Sequence, residues 1–231
     1  MKNYNMLIIS CATLAFAGSA SAANVIWGTV QTVSSSTDVN TSGTSVYAKG
    51  FGSNTTVNGV TFDATSSYSD NFFASYTGFL TTATVPVTFI GTNNAEGQAY
   101  ATLLDSGRYF QSQTMTGNFT LSNLTVGQEY LVQFWVADFR TFPLADRNET
   151  ITGGANTSGP LAYLDNGDNS ASDASYVIGT FIADNTMSQL FTLNANQDVL
   201  INAVQLRAIP EPSAALLGGL GALALLRRRR A

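Results

Sequence analysis

Short apolar stretches with β-branched or aromatic members recur along the middle of this 231-residue chain, separated by clusters of Gly, Asn, Asp and Ser. They are Val25–Val33, Val57–Phe62, Val85–Ile90, Gly117–Leu124, Tyr130–Phe139, Tyr176–Ala183, Gln189–Leu193 and Val199–Leu206. Several alternate apolar and polar positions, as Thr180–Leu193 does on either side of a turn at Asp184-Asn185. Alternation with period two places one set of side chains on each face of a strand, and strands of this length between turn clusters predict an all-β, antiparallel β-sandwich.

Helical periodicity is rare. In Asn71–Leu80 the residues Phe72, Phe73, Tyr76, Phe79 and Leu80 share one helical face, which predicts a short helix. Glu96–Gly107 predicts a second, ended by its glycine. Both are expected to cover a face or plug an end of the sandwich. No internal repeat and no long linker divides the middle of the chain, so it reads as one domain, residues 23–208.

Leu121, Leu124, Gly127 and Tyr130 form a leucine-rich turn, a glycine and then a tyrosine at a strand start. That order predicts a tyrosine corner, in which the phenol bonds back to the loop backbone where the chain crosses between sheets. Trp135 lies further along the same strand. Val132, Phe134 and Val136 make that strand apolar throughout, so Trp135 is expected in the core.

Both chain ends read as addressing segments. Residues 1–22 carry Lys2, an apolar run from Met6 to Ala17 and the small residues Ala20-Ser21-Ala22, the pattern of a secretory signal peptide cut before Ala23. The run is about half of the ~20 residues a membrane span needs. At the other end, Pro210-Glu211-Pro212 precedes fourteen uncharged residues, Ser213–Leu226, and then Arg227, Arg228, Arg229 and Arg230. A helix of that length rises about 21 Å, short of the roughly 30 Å hydrocarbon layer. With the arginine stems reaching the interface it can lodge in a bilayer, arginines on the cytoplasmic side.

Between Ala23 and Pro212 fifteen acidic residues face five basic ones, a net charge of −10. Such a surface repels phosphate backbones, which argues against nucleic acid as a partner. The one cysteine, Cys11, leaves with the signal peptide, so the exported domain holds together without disulfides. Histidine is absent, which excludes Ser-His-Asp and Cys-His catalysis and histidine-ligated zinc.

Three groups of residues suggest sites. Asp165, Asp168 and Asp173 crowd one Gly-containing stretch with amide and hydroxyl oxygens, a ligand type that suits calcium, although the spacing is not that of the helix-loop-helix calcium motif and Asp, Asn and Gly also favour turns. Asp138, Arg140, Asp146, Arg147 and Glu149 fall in what reads as a loop after the apolar strand. Carboxylate pairs serve glycosidases, but alternating acid and base in a loop is ordinarily a solvated salt-bridge cluster. Trp27, Tyr47, Phe51, Tyr68, Tyr109, Phe142 and Tyr163 fall near strand ends, where a flat ring can stack on a sugar; the competing reading is that most are core.

The three-part tail resembles the bacterial PEP-CTERM sorting signal. That resemblance implies recognition of Pro210, Glu211 and Pro212 by an exosortase, a membrane-embedded thiol protease. It also implies retention by Ser213–Leu226, a stop at Arg227–Arg230, and removal of the tail. Ile209 stands where valine is common. The resemblance covers residues 209–231 and implies a protein of the cell-envelope surface or exopolysaccharide matrix, with extracellular polysaccharide as a partner. Segments of the mature region, among them Val57–Phe62 with its flanking threonine and "YVIGTF", resemble exported proteins carrying the same tail, which implies a jelly-roll or galactose-binding-like sandwich. The function expected is a non-enzymatic surface or matrix protein; the alternative is a carbohydrate-binding module, calcium-dependent if the Asp165–Asp173 stretch binds metal.

Overall fold

The computed structural model describes residues 22–64, 78–81, 90, 93–109, 116–139, 147–164 and 174–210. Among these are one α-helix, α1 (Ala95–Leu104), and sixteen strands. In chain order the strands are β1 (Ile26–Trp27), β2 (Gln31–Thr32), β3 (Thr44–Gly50), β4 (Thr55–Val57), β5 (Val60–Ala64), β6 (Gly78–Thr81), β7 (Ser106–Tyr109) and β8 (Thr116–Ser122). There follow β9 (Glu129–Ala137), β10 (Arg147–Gly153), β11 (Asn156–Thr157), β12 (Leu161–Leu164), β13 (Ala174–Ile182), β14 (Ser188–Ala195), β15 (Leu200–Ile201) and β16 (Ala203–Ile209).

A large sheet runs β1-β13-β9-β16-β3-β5-β4, with β2 also on β13. A second sheet runs β11-β10-β14-β8, with β12 also on β10, and a small one runs β15-β7-β6. Pairing is antiparallel except between β3 and β5, which lie parallel.

Strand β9 explains the layering. Its alternate residues Val132, Phe134 and Val136 pack against Phe119, Leu121, Ile151, Phe191 and Leu193 of the second sheet, forming the sandwich core. Trp135 and Ala137, on the opposite face, join Phe62, Tyr100, Leu103 and Leu104 in a second core beneath α1 and the β4–β5 hairpin. The large sheet is therefore covered on both sides, which is why β9 is apolar throughout. Phe134 meets Phe191 and Phe119 edge-on, with ring centroids 5.1 and 5.6 Å apart. The Trp135 indole N–H donates to the Tyr100 hydroxyl at 2.8 Å, satisfying a polar group that burial would otherwise penalise.

The predicted tyrosine corner is present: the Tyr130 hydroxyl accepts from the Thr125 N–H at 3.0 Å. Most predicted strands are present too, with bounds moved by one or two residues, and three of them are split or shortened. Val57–Phe62 is a hairpin, because Asn58 and Gly59 both adopt positive φ (49° and 72°) and fold β4 back on β5. Val199–Leu206 is interrupted at Asn202, whose side chain donates to the carbonyls of Leu104 and Ser106 and accepts from the Ala137 N–H. Val25–Val33 contributes only the short β1 and β2. Val85–Ile90 lies outside the described residues except for Ile90, which is buried.

The helices need correction. Gly78–Thr81, the end of the first predicted helix, is strand β6 paired with β7; a short apolar segment fits either period, and the free edge of β7 supplies the backbone partners. Phe72, Phe73 and Tyr76 lie outside the described residues. The second helix exists as α1, capped by Asn94, whose side chain accepts from the Gly97 N–H at 3.0 Å. It stops at Leu104, before the predicted glycine. Gly107 lies in β7, where a Cβ would come within 2.8 Å of a Leu200 methyl; close packing, not helix capping, requires the glycine.

Candidate functional site

Strand β10 alternates inward and outward with charged residues on the inward side. Arg147, Glu149 and Ile151 are buried, while Asn148 is exposed and Thr150 half-buried. The stretch read as a solvated loop cluster is thus in part a buried strand, and Asp138, at the end of β9, is buried as well. The signal for this is the period-two pattern Arg147-x-Glu149-x-Ile151, which a reading that expects charge outside passes over.

These groups gather at the end of the sandwich where β9 finishes and β10 begins. One Glu149 oxygen, Oε2, accepts from the Leu200 N–H at 3.0 Å, while Oε1 has no hydrogen-bond partner among the described residues. Burial pushes the Glu149 carboxyl up to about 8, against which the Leu200 hydrogen bond pulls only weakly, so the group is mostly protonated at neutral pH. Arg147 Nη1 lies 3.3 Å from Asp198 Oδ2, and the Tyr163 hydroxyl donates to the Asp198 carbonyl. Burial drives the Tyr163 phenol far above its ordinary range, and the Glu149 carboxylate beside it adds to the effect.

Chemically this is a sealed polar core. Glu149, Asp138 and Tyr163 are each about 1 % exposed, so no polymeric substrate reaches them. The cluster pins the strand ends around it: Leu164 pairs with Arg147 on the second sheet, and Ala174 pairs with Ala137 on the large one. Residues 165–173, with the calcium candidates Asp165, Asp168 and Asp173, join those two anchors and lie outside the described residues.

Of the aromatic candidates, Phe51 and Tyr163 are buried, and Trp27, Tyr47 and Tyr109 are partly buried against the sandwich core. The core reading holds for these five. Tyr68 and Phe142 lie outside the described residues. Among the described residues the exposed large hydrophobic side chains are aliphatic instead: Ile26, Val46, Val126, Ile182, Met187 and Leu190.

The other end of the sandwich holds an open groove of about 230 Å³ lined by Ala23, Asn24, Ile26, Glu129 and Thr180–Ile182. Pro210 leaves the large sheet at this end. It follows Ile209, which pairs with Glu129, and it is exposed. Glu211, Pro212 and Arg227–Arg230 lie outside the described residues, as does the predicted apolar segment 213–226. Among the described residues no helix is long and apolar enough to cross a membrane.

No family model matches the chain, and no curated protein matches its sequence. Solved structures do share its fold. The ANX2 ectodomain from Arabidopsis thaliana matches at 11% identity over 73% of this chain and 50% of its own, with a TM-score of 0.54. The ANX1 ectodomain from the same plant matches at 10% identity over 73% of this chain and 49% of its own, TM-score 0.55. A complex of the plant peptide RALF23 with FER and LLG2 matches at 14% identity over 81% of this chain and 55% of the matched one, TM-score 0.56. The chain spans about half the length of each of these. At such identities the likeness is one of fold.

Proposed function

We propose that this chain is a non-enzymatic protein of the cell-envelope surface or extracellular matrix. It is exported through residues 1–22 and parked in the membrane by Ser213–Leu226, and an exosortase-like protease that reads Pro210, Glu211 and Pro212 then processes it. The domain is a sandwich of the jelly-roll or galactose-binding-like kind, and the shared fold with proteins described as ectodomains supports an extracellular location. The observation that carries the reading is the order of the tail: proline-flanked acid, short uncharged span, arginine block. Its placement suits a cut. Ile209 is the last paired residue of β16, so a cut beyond it leaves the described strand pairing intact. Proline at 210 and 212 disfavours helix at and before each position and holds the recognition region extended.

The test is Glu211→Ala in a host that carries an exosortase, followed by the size and location of the protein. Loss of processing with retention in the membrane is expected; unchanged trimming and release overturn the sorting role.

A second reading is a ligand-binding module, favoured by the match to a complex in which FER and LLG2 hold the peptide RALF23. With a glycan as ligand, stacking falls to Tyr68 and Phe142, because the five described aromatic candidates pack inward. Glycan-array binding abolished by Tyr68→Ala or Phe142→Ala supports this reading, and loss on chelation assigns calcium to Asp165, Asp168 and Asp173. Absence of binding to any glycan returns the domain to a structural role.

A further inference from the structure

Of the six exposed large hydrophobic side chains among the described residues, Ile182, Val126 and Met187 lie at the tail-exit end of the sandwich, and Ile26, Leu190 and Val46 fall in the same half. Strand register places them. Ile182 pairs with Glu129, the first residue of β9, and Ile26 pairs with Thr180 two positions further in. Val46 sits at the irregularity where β3 meets Leu206 and Arg207, and Leu190 pairs with Thr120 near the same end of the second sheet. Val126 and Met187 occupy adjacent turns, tied together where the Leu124 N–H donates to the Met187 carbonyl at 3.0 Å. Singly scattered exposed aliphatics mean little, but Val126, Met187 and Ile182 at one end, with Ile26 two positions further in, mark an interaction surface.

The chain itself indicates what covers it. Strand β16 ends at this same end, and only Pro210, Glu211 and Pro212 separate Ile209 from the uncharged segment Ser213–Leu226. Three extended residues reach about 10 Å, so once that segment is in a membrane this end cannot stand clear of the lipid. We propose that the tail-exit end of the sandwich is a lipid-facing surface, with Val126, Met187, Ile182 and Ile26 set into the interface of the bilayer that holds the tail. The proposal rests on the reading of the tail as a membrane-parked segment. The described charges here are the carboxylates of Glu129 and Asp184 and the Arg207 guanidinium, which is already bound to the carbonyls of Thr41, Ser42 and Gly43. With no free cationic patch among the described residues of this end, contact is apolar and does not require anionic lipid.

Removal of Cys11 frees the chain for single-cysteine labelling. Full-length protein carrying Cys11→Ser and one of Val126→Cys, Met187→Cys, Asn194→Cys or Gly219→Cys is labelled with an environment-sensitive fluorophore and reconstituted into phosphatidylcholine vesicles containing chain-brominated phosphatidylcholine. Asn194 is exposed at the far end of β14 and Gly219 lies within the tail. Quenching at positions 126, 187 and 219 that exceeds that at 194 by roughly twofold or more is expected for interfacial burial. Quenching at 219 alone shows an anchored tail with a domain held off the lipid, and overturns the proposal while sparing the tail reading. Equal quenching at 126, 187 and 194 removes any oriented surface and overturns it too. No quenching at 219 overturns the tail reading and the proposal together. A label shift at 126 and 187 that needs no vesicles and grows with protein concentration assigns the patch to a second copy instead.

Discussion

The Tyr130 hydroxyl accepts the backbone N–H of Thr125 across the corner that carries the chain from the second sheet into the large one. Tyr130 is buried and its ring stacks on Phe181 at 5.7 Å, so Tyr130→Phe keeps the packing and deletes only the acceptor. The stranded Thr125 N–H should cost about 1–3 kcal/mol of stability. Urea denaturation should show a lower midpoint with an unchanged slope.

Glu149 should make stability fall with rising pH. Its carboxyl binds a proton more tightly in the folded state (about 8) than in the unfolded one (4.5), because burial penalises the charge. The folded protein therefore holds the extra proton between those values. The contribution is fully present below about pH 4.5 and is lost as pH rises through about 8. Glu149→Gln keeps an acceptor for Leu200 and cannot ionise. Thermal denaturation across this range should show the variant gaining on the wild type toward high pH, by on the order of a few kcal/mol, with the difference closing at acid pH.

Strands β9, β13 and β14 are legible in the sequence because apolar residues recur along each of them, and Tyr130 is legible because its partner lies five residues away. The β10 cluster is not. Glu149 is tolerated inside because Leu200, 51 residues further on, offers it an N–H, and no local pattern shows that. Strand β3 escapes for another reason: three of its first residues are exposed and only Ala48 and Gly50 are fully buried, so its apolar signal is faint. Strand β6 carries helical spacing and becomes a strand only because β7 has an edge to offer. The reading of the tail rests on order and composition alone, and Glu211 to Ala231 lie outside the described residues.

The N-terminal segment is laid across the open edge between the two sheets, and two glycines admit it. β1 pairs with β13, while the Val25 N–H donates to the Gly153 carbonyl of β10 at 3.2 Å and the Trp27 indole donates to the Asn156 carbonyl. A Cβ on Gly179 would come within 2.5 Å of a Val25 methyl and 2.7 Å of the Trp27 ring, and one on Gly153 within 2.3 Å of Val25. Gly179→Ala or Gly153→Ala should therefore lift β1 and cost about 1–3 kcal/mol. Limited proteolysis should show new cleavage between Ala23 and Val30, where the wild type resists.

Arg207 should prove irreplaceable by lysine. Its Nε donates to the Ser42 carbonyl at 2.6 Å, and one terminal nitrogen donates to Thr41 and Gly43 at 2.9 and 2.8 Å. Beside it, Gln205 Nε2 donates to the Asn40 carbonyl at 3.0 Å and to Gln133 Oε1 at 2.7 Å, and Gln133 Nε2 donates to the Asp38 carbonyl at 2.8 Å. Three side chains on two central strands thus bind the carbonyls of Asp38, Asn40, Thr41, Ser42 and Gly43 in one crossing segment, and Asn58 takes that of Val39. Gly43 must follow them into a positive φ of 74°, where a Cβ would fall 2.3 Å from the Ala208 carbonyl. A guanidinium reaches three carbonyls because its donors are fixed in a planar fork, whereas an ammonium on a flexible stem cannot match that spacing. Arg207→Lys should leave at least one carbonyl poorly bonded and cost about 1–3 kcal/mol, with Arg207→Met costing more. Hydrogen exchange should localise the loss to Asn40–Thr44. Equal protection there in Arg207→Lys and wild type would show that charge alone, without the fork, holds the segment.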